Sequence, residues 1–361
     1  MNNSTESLNQ TIYGGQLHPA QIVIDKYITI LVLIIGVPGN ILSLIIWMQK
    51  RMRHSSGYYL AALALNDLCF LVLAEIFDIH VTWMSANLLS YQVVCQLFPI
   101  IYMTVQYLSP CLVLTFTTER FISICHPFKR DKYCTKSRAQ IVVVCLTVAC
   151  CLLSAVNGYF FHLTTIEGAP DCDVRASVRK GGNLSFFQMY NIFADTAFFF
   201  VVPLGILVLN ILVIREMRRL SRYEPTQLQT SSGQRTGSTT VMLLAVSFYQ
   251  IITTLPVSVV YSLRFEFEAS STYYLVLTII KEYGITHYAF NFIIYVLTGK
   301  MFRQELKRLF LHPFGKVASH FSSEYDSLRT SVHSSVRKTW GSVYGREKEE
   351  DKKVEPNETL L

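Results

Sequence analysis

The sequence predicts an all-α membrane protein, a seven-transmembrane helix bundle with a short amphipathic interfacial helix after the seventh span. Half of its 361 residues are apolar and only 16% are charged, with a mean hydropathy of +0.33, which is too apolar for a soluble domain of this size. Seven apolar runs, at 28–48, 60–83, 97–124, 141–161, 192–214, 241–261 and 273–297, each approach the roughly 20 residues that a helix needs to cross a bilayer. The connectors 50–54, 129–138 and 215–222 are basic, whereas 1–21 holds no Lys or Arg. Basic connectors stay on the cytoplasmic side, so the N-terminus is predicted outside and the C-terminus inside.

The organisation that follows is an extracellular tail at 1–21, a bundle at 22–299, an interfacial helix at 300–312 and a disordered cytoplasmic tail at 313–361. No signal peptide is expected, because the first residues are polar and the first apolar run is full length. The net charge of +7 falls mainly on inner connectors and beyond Lys300. It serves topology and attraction to membrane lipid headgroups, and nucleic acid is not needed as a partner. Asn2, Asn3, Asn9 and Asn183 open N-x-Ser/Thr patterns on the predicted outer face, where glycosylation is possible.

In the first span, Val37-Pro38-Gly39-Asn40 brings an amide to lipid depth, where it must face protein. The second span carries Asp67, and an ionisable group in hydrocarbon is a functional candidate by default. In the third, residues 97–116 are uncharged; Cys95 and Arg120 bracket a length of roughly 37 Å at about 1.5 Å per residue. Glu119 and Arg120 therefore meet the inner water interface. Of nine cysteines, only Cys95 and Cys172 are expected outside, where a disulfide persists. Cys69, Cys111, Cys145, Cys150 and Cys151 read as small packing residues, and Cys125 and Cys134 face a reducing compartment.

The fourth span lacks Trp. Residues 162–187 then form an outer connection long enough to act as a lid over a pocket mouth. Pro203 and Pro256 interrupt the fifth and sixth spans as plausible hinges. After the seventh span, Phe302, Leu306, Leu309 and Phe310 recur at helical spacing, with Arg303, Lys307 and Arg308 left for the polar side, as in a helix lying on the membrane surface. From 319 onward the chain is polar and Ser/Thr-rich, and disorder is expected.

Asn40, Asp67, Cys95, Glu119-Arg120-Phe121, Pro203, Pro256 and Asn291-Phe292-Ile293-Ile294-Tyr295, in this order and at these depths, resemble the rhodopsin-like (class A) G-protein-coupled receptors over nearly the whole of 21–310. The Asn-Phe form of the last motif, followed by Gly299-Lys300-Met301-Phe302-Arg303, is similar to invertebrate FMRFamide-type and related neuropeptide receptors. The resemblance implies a plasma-membrane receptor that binds an extracellular ligand and drives nucleotide exchange on a heterotrimeric G protein. Coupling would rest on Glu119, Arg120, Phe121, Pro127 and Tyr295, with Glu119 holding the Arg120 guanidinium until the cytoplasmic helix ends separate. It further implies a network of Asn40, Asp67, Ser109 and Asn291 around a sodium ion, whose alternative is a water-filled polar network. Receptor kinase and arrestin would act on the tail, and Thr359-Leu360-Leu361 resembles a PDZ ligand.

The chain departs from the family pattern in several places. His287 stands where an amide or hydroxyl is customary. Thr253-Thr254-Leu255-Pro256 replaces a Cys-Trp-x-Pro pattern, Gln250 replaces a Phe, and Pro110 replaces a branched apolar residue. Thr236 stands where some members carry an acid that restrains the arginine, so basal activity is expected.

Tyr102 occupies the position of the amine-receptor Asp, and Ile285 that of the retinal-bearing Lys, which disfavours both ligand classes. Glu75 and Asp78 share a helix face and join Tyr102, Gln106, Arg264, Lys281 and Glu282 in a charged, aromatic outer pocket suited to a short peptide with a basic group. An internal bridge from Glu75 to Lys281 is the alternative. A non-peptide chemosensory ligand is a second functional reading. A seven-span channel or transporter would show two related halves or a charged path, and no such repeat is seen. No His/Cys/acid cluster carries metal or nucleophile spacing, so neither a catalytic nor a metal site is expected.

Overall fold

The computed structural model describes residues 19–81, 88–166, 169–179, 185–223, 231–263 and 271–311. Seven long helices run in order: α1 Pro19–Trp47, α2 Ser55–Val81, α3 Gln92–Cys125, α4 Lys136–Ser154, α5 in three parts, α6 Ser231–Ser262 and α7 Ser271–Thr298. The parts of α5 are an α-helix Phe186–Thr196, a π turn Ala197–Val201 and an α-helix Val202–Tyr223. Pro203 has no N–H to offer the preceding turn, and the wide turn lies directly before it. Several helices outrun the apolar windows at the bundle end that holds Arg120. Helix α6 starts ten residues before 241, and α5 continues through the basic stretch 215–222.

Among the described residues, six helices are long and apolar enough to cross a membrane by composition alone. Helix α7 is equally long but carries Glu282, His287 and Asn291, all buried. Its polar groups face protein, so its sequence is less apolar than that of a lipid-facing span. The opposite extreme is α4, whose Ile141, Val144, Val148 and Leu152 form an exposed stripe that lipid would cover.

Helix α3 is central, packing on α2, α4, α5 and α6, while α1 packs on α2 and α7. Its threonines turn their hydroxyls onto their own helix: Thr104, Thr115, Thr117 and Thr118 each donate to the carbonyl four residues back at 2.7 to 2.8 Å. This satisfies polar groups at membrane depth without a partner helix. A core of Val32, Phe70, Leu71, Ala74, Val105, Ile285, Tyr288 and Ala289 joins α1, α2, α3 and α7. Gly36 permits that closeness, because a Cβ there would fall 2.6 Å from Leu71 Cδ1 and 2.8 Å from Ala289 Cβ.

The connection between α4 and α5 adds strand structure to the expected helices. Strands β1 Phe161–Ile166 and β2 Ala169–Val174 pair antiparallel, with Leu163 opposite Cys172. Cys172 is disulfide-bonded to Cys95 near the start of α3, and Leu163 N donates to Gln92 Oε1 at 3.1 Å. The hairpin is thereby fixed to α3 by one covalent bond and one hydrogen bond.

The chain divides into two compact units at Arg303 and Gln304, and residues 300–311 are helical. In the first unit, Phe302 corrects the expectation of a lipid-facing side chain. It is fully buried, with ring centroids 5.4 Å from Trp47 and 5.3 Å from Tyr295, because aromatic partners from α1 and α7 outcompete lipid for its surface. Arg303 Nη1 donates to the carbonyls of Val296 and Leu297 at 2.9 and 2.8 Å, capping α7 with a cation where the helix dipole is negative. In the second unit, Arg308 pairs with Glu305 one turn earlier.

Candidate functional site

At the C-terminal end of α3, Glu119 is buried and Arg120 Nη2 lies 3.4 Å from its Oε1. Ser56, at the start of α2, donates to the same oxygen at 2.6 Å. The carboxylate is thus held by two helices. Arg120 Nε finds no hydrogen-bond partner among the described residues, and the guanidinium lines a cleft with Thr117, Asn210 and Thr240. Asn210 Nδ2 donates to Ser247 Oγ at 2.7 Å, tying α5 to α6 beside it.

Beyond α3, Pro127 occupies the first turn of a short helix Pro127–Tyr133, where its missing N–H costs nothing. The next residue, Phe128, is wholly exposed. Phe121 meets His126 edge-on at 5.6 Å. Cys134 Sγ lies 3.8 Å from Glu119 O; burial, then the Glu119 carboxylate, push its thiol up to about 11. Tyr295 is fully buried with its ring 5.5 Å from Trp47.

In mid-bundle, Asn291 Nδ2 donates to Asp67 Oδ2 at 2.7 Å. Asp67 Oδ1 and Ser109 Oγ, both buried, have no hydrogen-bond partner among the described residues. Such a pair of hard oxygens is what a cation or water would complete. Asn40 takes a different place from the one expected of a network member. Its amide donates to Tyr288 O at 2.6 Å and Gly36 O at 3.0 Å, so it joins α1 to the α7 backbone. Higher up, His287 Nδ1 contacts Gly284 O at 2.6 Å, while His287 Nε2, Thr254 Oγ1 and both amide atoms of Gln250 have no partner among the described residues.

At the opposite end of the bundle, Tyr102 packs on Phe70 and Phe98 at 5.6 and 5.7 Å, and Gln106 is half-buried one turn further along α3. Lys281 Nζ lies 3.5 Å from Glu282 Oε1, and Thr29 donates to Glu282 Oε2 at 3.1 Å. Glu282 therefore ties α7 to α1. Glu75 and Asp78 lie on α2, but their side chains fall outside the described residues, as do Arg264, Asn2, Asn3, Asn9, Asn183, the Thr236 side chain and Thr359–Leu361.

Two participants escape sequence reasoning. Ser56 and Thr29 are ordinary hydroxyl residues whose partners lie far along the chain.

Residues 39–295 match the family model for the 7 transmembrane receptor (rhodopsin family). An FMRFamide receptor of Drosophila melanogaster is 29% identical over 299 residues, covering 78% of this chain and 52% of the relative. A thyrotropin-releasing hormone receptor of Homo sapiens is 34% identical over 218 residues, covering 56% and 51%. A pyrokinin-1 receptor of Drosophila melanogaster is 27% identical over 204 residues, covering 56% and 45%. The chain spans about half the length of the curated relatives it matches.

Proposed function

The chain belongs to the rhodopsin family of seven-transmembrane receptors, multi-pass proteins of the plasma membrane, and from that premise we propose that it binds a short neuropeptide at its outer side and activates a heterotrimeric G protein at its inner side. The observation that carries this reading is the Glu119 carboxylate shared between Ser56 and Arg120. An arginine held by an adjacent buried acid is a bistable element: separation of the helix ends would free the guanidinium, and an outer ligand that favours the separated state would shift the balance. Phe121, Pro127 with the exposed Phe128, and Tyr295 flank the surface so opened.

The peptide class rests on relatives named for FMRFamide, thyrotropin-releasing hormone and pyrokinin. It fits an outer half that combines aromatic and charged groups, with Tyr102, Gln106, Lys281, Glu75, Asp78 and Arg264 as contacts. On the same reading the N-terminus is extracellular, and sodium binds between Asp67, Ser109 and Asn291. Receptor kinase and arrestin act on the tail, a PDZ protein takes the final residues, and the helix at 300–311 rests on lipid.

The test is a screen of short amidated peptides on cells expressing this chain, read through a promiscuous G protein, with Arg120→Ala as control. A response abolished by that substitution at equal surface expression supports receptor and coupling together. A response that survives it removes Arg120 from coupling, and silence across the library removes the peptide class.

A further inference from the structure

Asp195 is the single acidic residue in the apolar runs 97–116, 192–214 and 241–261 of the third, fifth and sixth spans. A carboxylate at such depth is expensive and persists where something uses it. Its placement is well defined. Ser185 and Gln188 form a reciprocal capping box that fixes the start of α5, and Ile192, Phe193 and Phe200 face outward, exposed. Asn191 and Ala194, on the opposite face, are buried, and Asp195 lies with them, half-buried. The Asn191 amide is used on its own helix, donating to Phe187 O at 2.7 Å.

The surroundings of Asp195 are aromatic. Tyr190, five residues earlier on the same helix, donates its hydroxyl to Leu153 O at 2.7 Å. One turn below, Phe198 stacks on Tyr107 with centroids 4.4 Å apart, and Phe199 approaches the same ring at 6.1 Å. That both successive phenylalanines reach one tyrosine follows from the π turn Ala197–Val201, which begins two residues after Asp195. Such turns re-aim side chains and are frequent at functional sites. A half-buried carboxylate with phenylalanines within the next turn of its own helix matches the chemistry of a guanidinium or ammonium group, which carboxylates pair with and aromatic rings attract.

We propose that Asp195 is the counter-ion for a basic group of the bound peptide. The inference rests on the peptide-receptor reading above and assigns one chemical requirement to that site, a cationic side chain or terminus in the ligand.

The experiment screens amidated tri- to hexapeptides in matched pairs, one member with Arg and the other with the neutral isostere citrulline at the same position, on wild type, Asp195→Asn and Asp195→Glu at measured surface expression. The expected result is that wild type prefers the Arg member by about thirtyfold or more, as for a buried charge pair losing one partner. Asp195→Asn abolishes that preference, and Asp195→Glu restores part of it. Equal potency of Arg and citrulline members on wild type overturns the assignment without reference to any variant's folding. An Arg preference that survives Asp195→Asn overturns it as well and moves the counter-ion elsewhere. Silence of every pair on well-expressed wild type overturns the peptide reading itself, and this assignment with it.

Discussion

Ser56 Oγ donates a 2.6 Å hydrogen bond to Glu119 Oε1, the same oxygen that Arg120 Nη2 approaches only at 3.4 Å. The shorter contact is the one to α2, so the serine, more than the arginine, sets where the carboxylate points. A hydrogen bond to a charged group contributes about 1.5–3 kcal/mol. Ser56→Ala should therefore weaken the resting arrangement enough to raise ligand-free nucleotide exchange by roughly ten- to a hundredfold, with Glu119→Gln as the stronger comparison. An unchanged basal rate at normal expression would remove Ser56 from the device.

The difference between what was legible and what was not is physical. Long apolar runs and basic connectors report the membrane directly, so the spans follow from composition. The pairing of Cys95 with Cys172 follows from compartment. Ser56 is invisible because its partner lies 63 positions away and a single hydroxyl at a helix start has many uses. The strand pair 161–166 and 169–174 is hidden for a related reason: the disulfide to Cys95 and the bond to Gln92 that fasten it to α3 are both remote in sequence. Asn40 is legible as an amide at lipid depth, but only the close approach of α1 to α7 reveals that it donates to the Tyr288 carbonyl.

Asp67 Oδ2 is taken by Asn291, and Asp67 Oδ1 and Ser109 Oγ remain available to a cation. If sodium binds there, the purified protein should melt a few degrees higher in sodium chloride than in choline chloride, because a ligand that prefers the folded state stabilises it by mass action. Asp67→Asn should abolish the difference by removing the charge. Identical melting of wild type in both salts would leave water as the occupant.

Gln250 is buried with neither amide atom paired to a described residue, in a position where the family customarily has Phe. Leaving a buried polar group unsatisfied costs about 1–3 kcal/mol. Gln250→Leu should therefore raise the melting temperature while altering the response to agonist, since the helix that carries Pro256 would be held more firmly. A lower melting temperature would mean that ordered water already satisfies the amide and that the substitution discards those bonds.

Cys134 offers a reporter of the same Glu119–Arg120 device. Burial and the nearby Glu119 carboxylate push its thiol up to about 11, while Arg120 acts in the opposite sense. The folded state keeps a proton that an unfolded thiol would lose at lower pH, so any contribution to stability is full below the unfolded value and fades as pH rises toward the folded one. Alkylation proceeds through the thiolate and should run roughly two orders of magnitude slower near neutral pH than for an ordinary cysteine. Glu119→Gln should accelerate it by removing a negative charge, and Arg120→Ala should slow it by removing a positive one. Site-resolved mass spectrometry after timed iodoacetamide treatment reads both. A shift in the same direction for the two variants would show that each merely loosens the loop, whereas opposite shifts require both charges to act on this thiol in the resting state. Agonist that separates Glu119 from Arg120 should then change the alkylation rate of wild type as well, linking the chemistry at Cys134 to the state of the receptor.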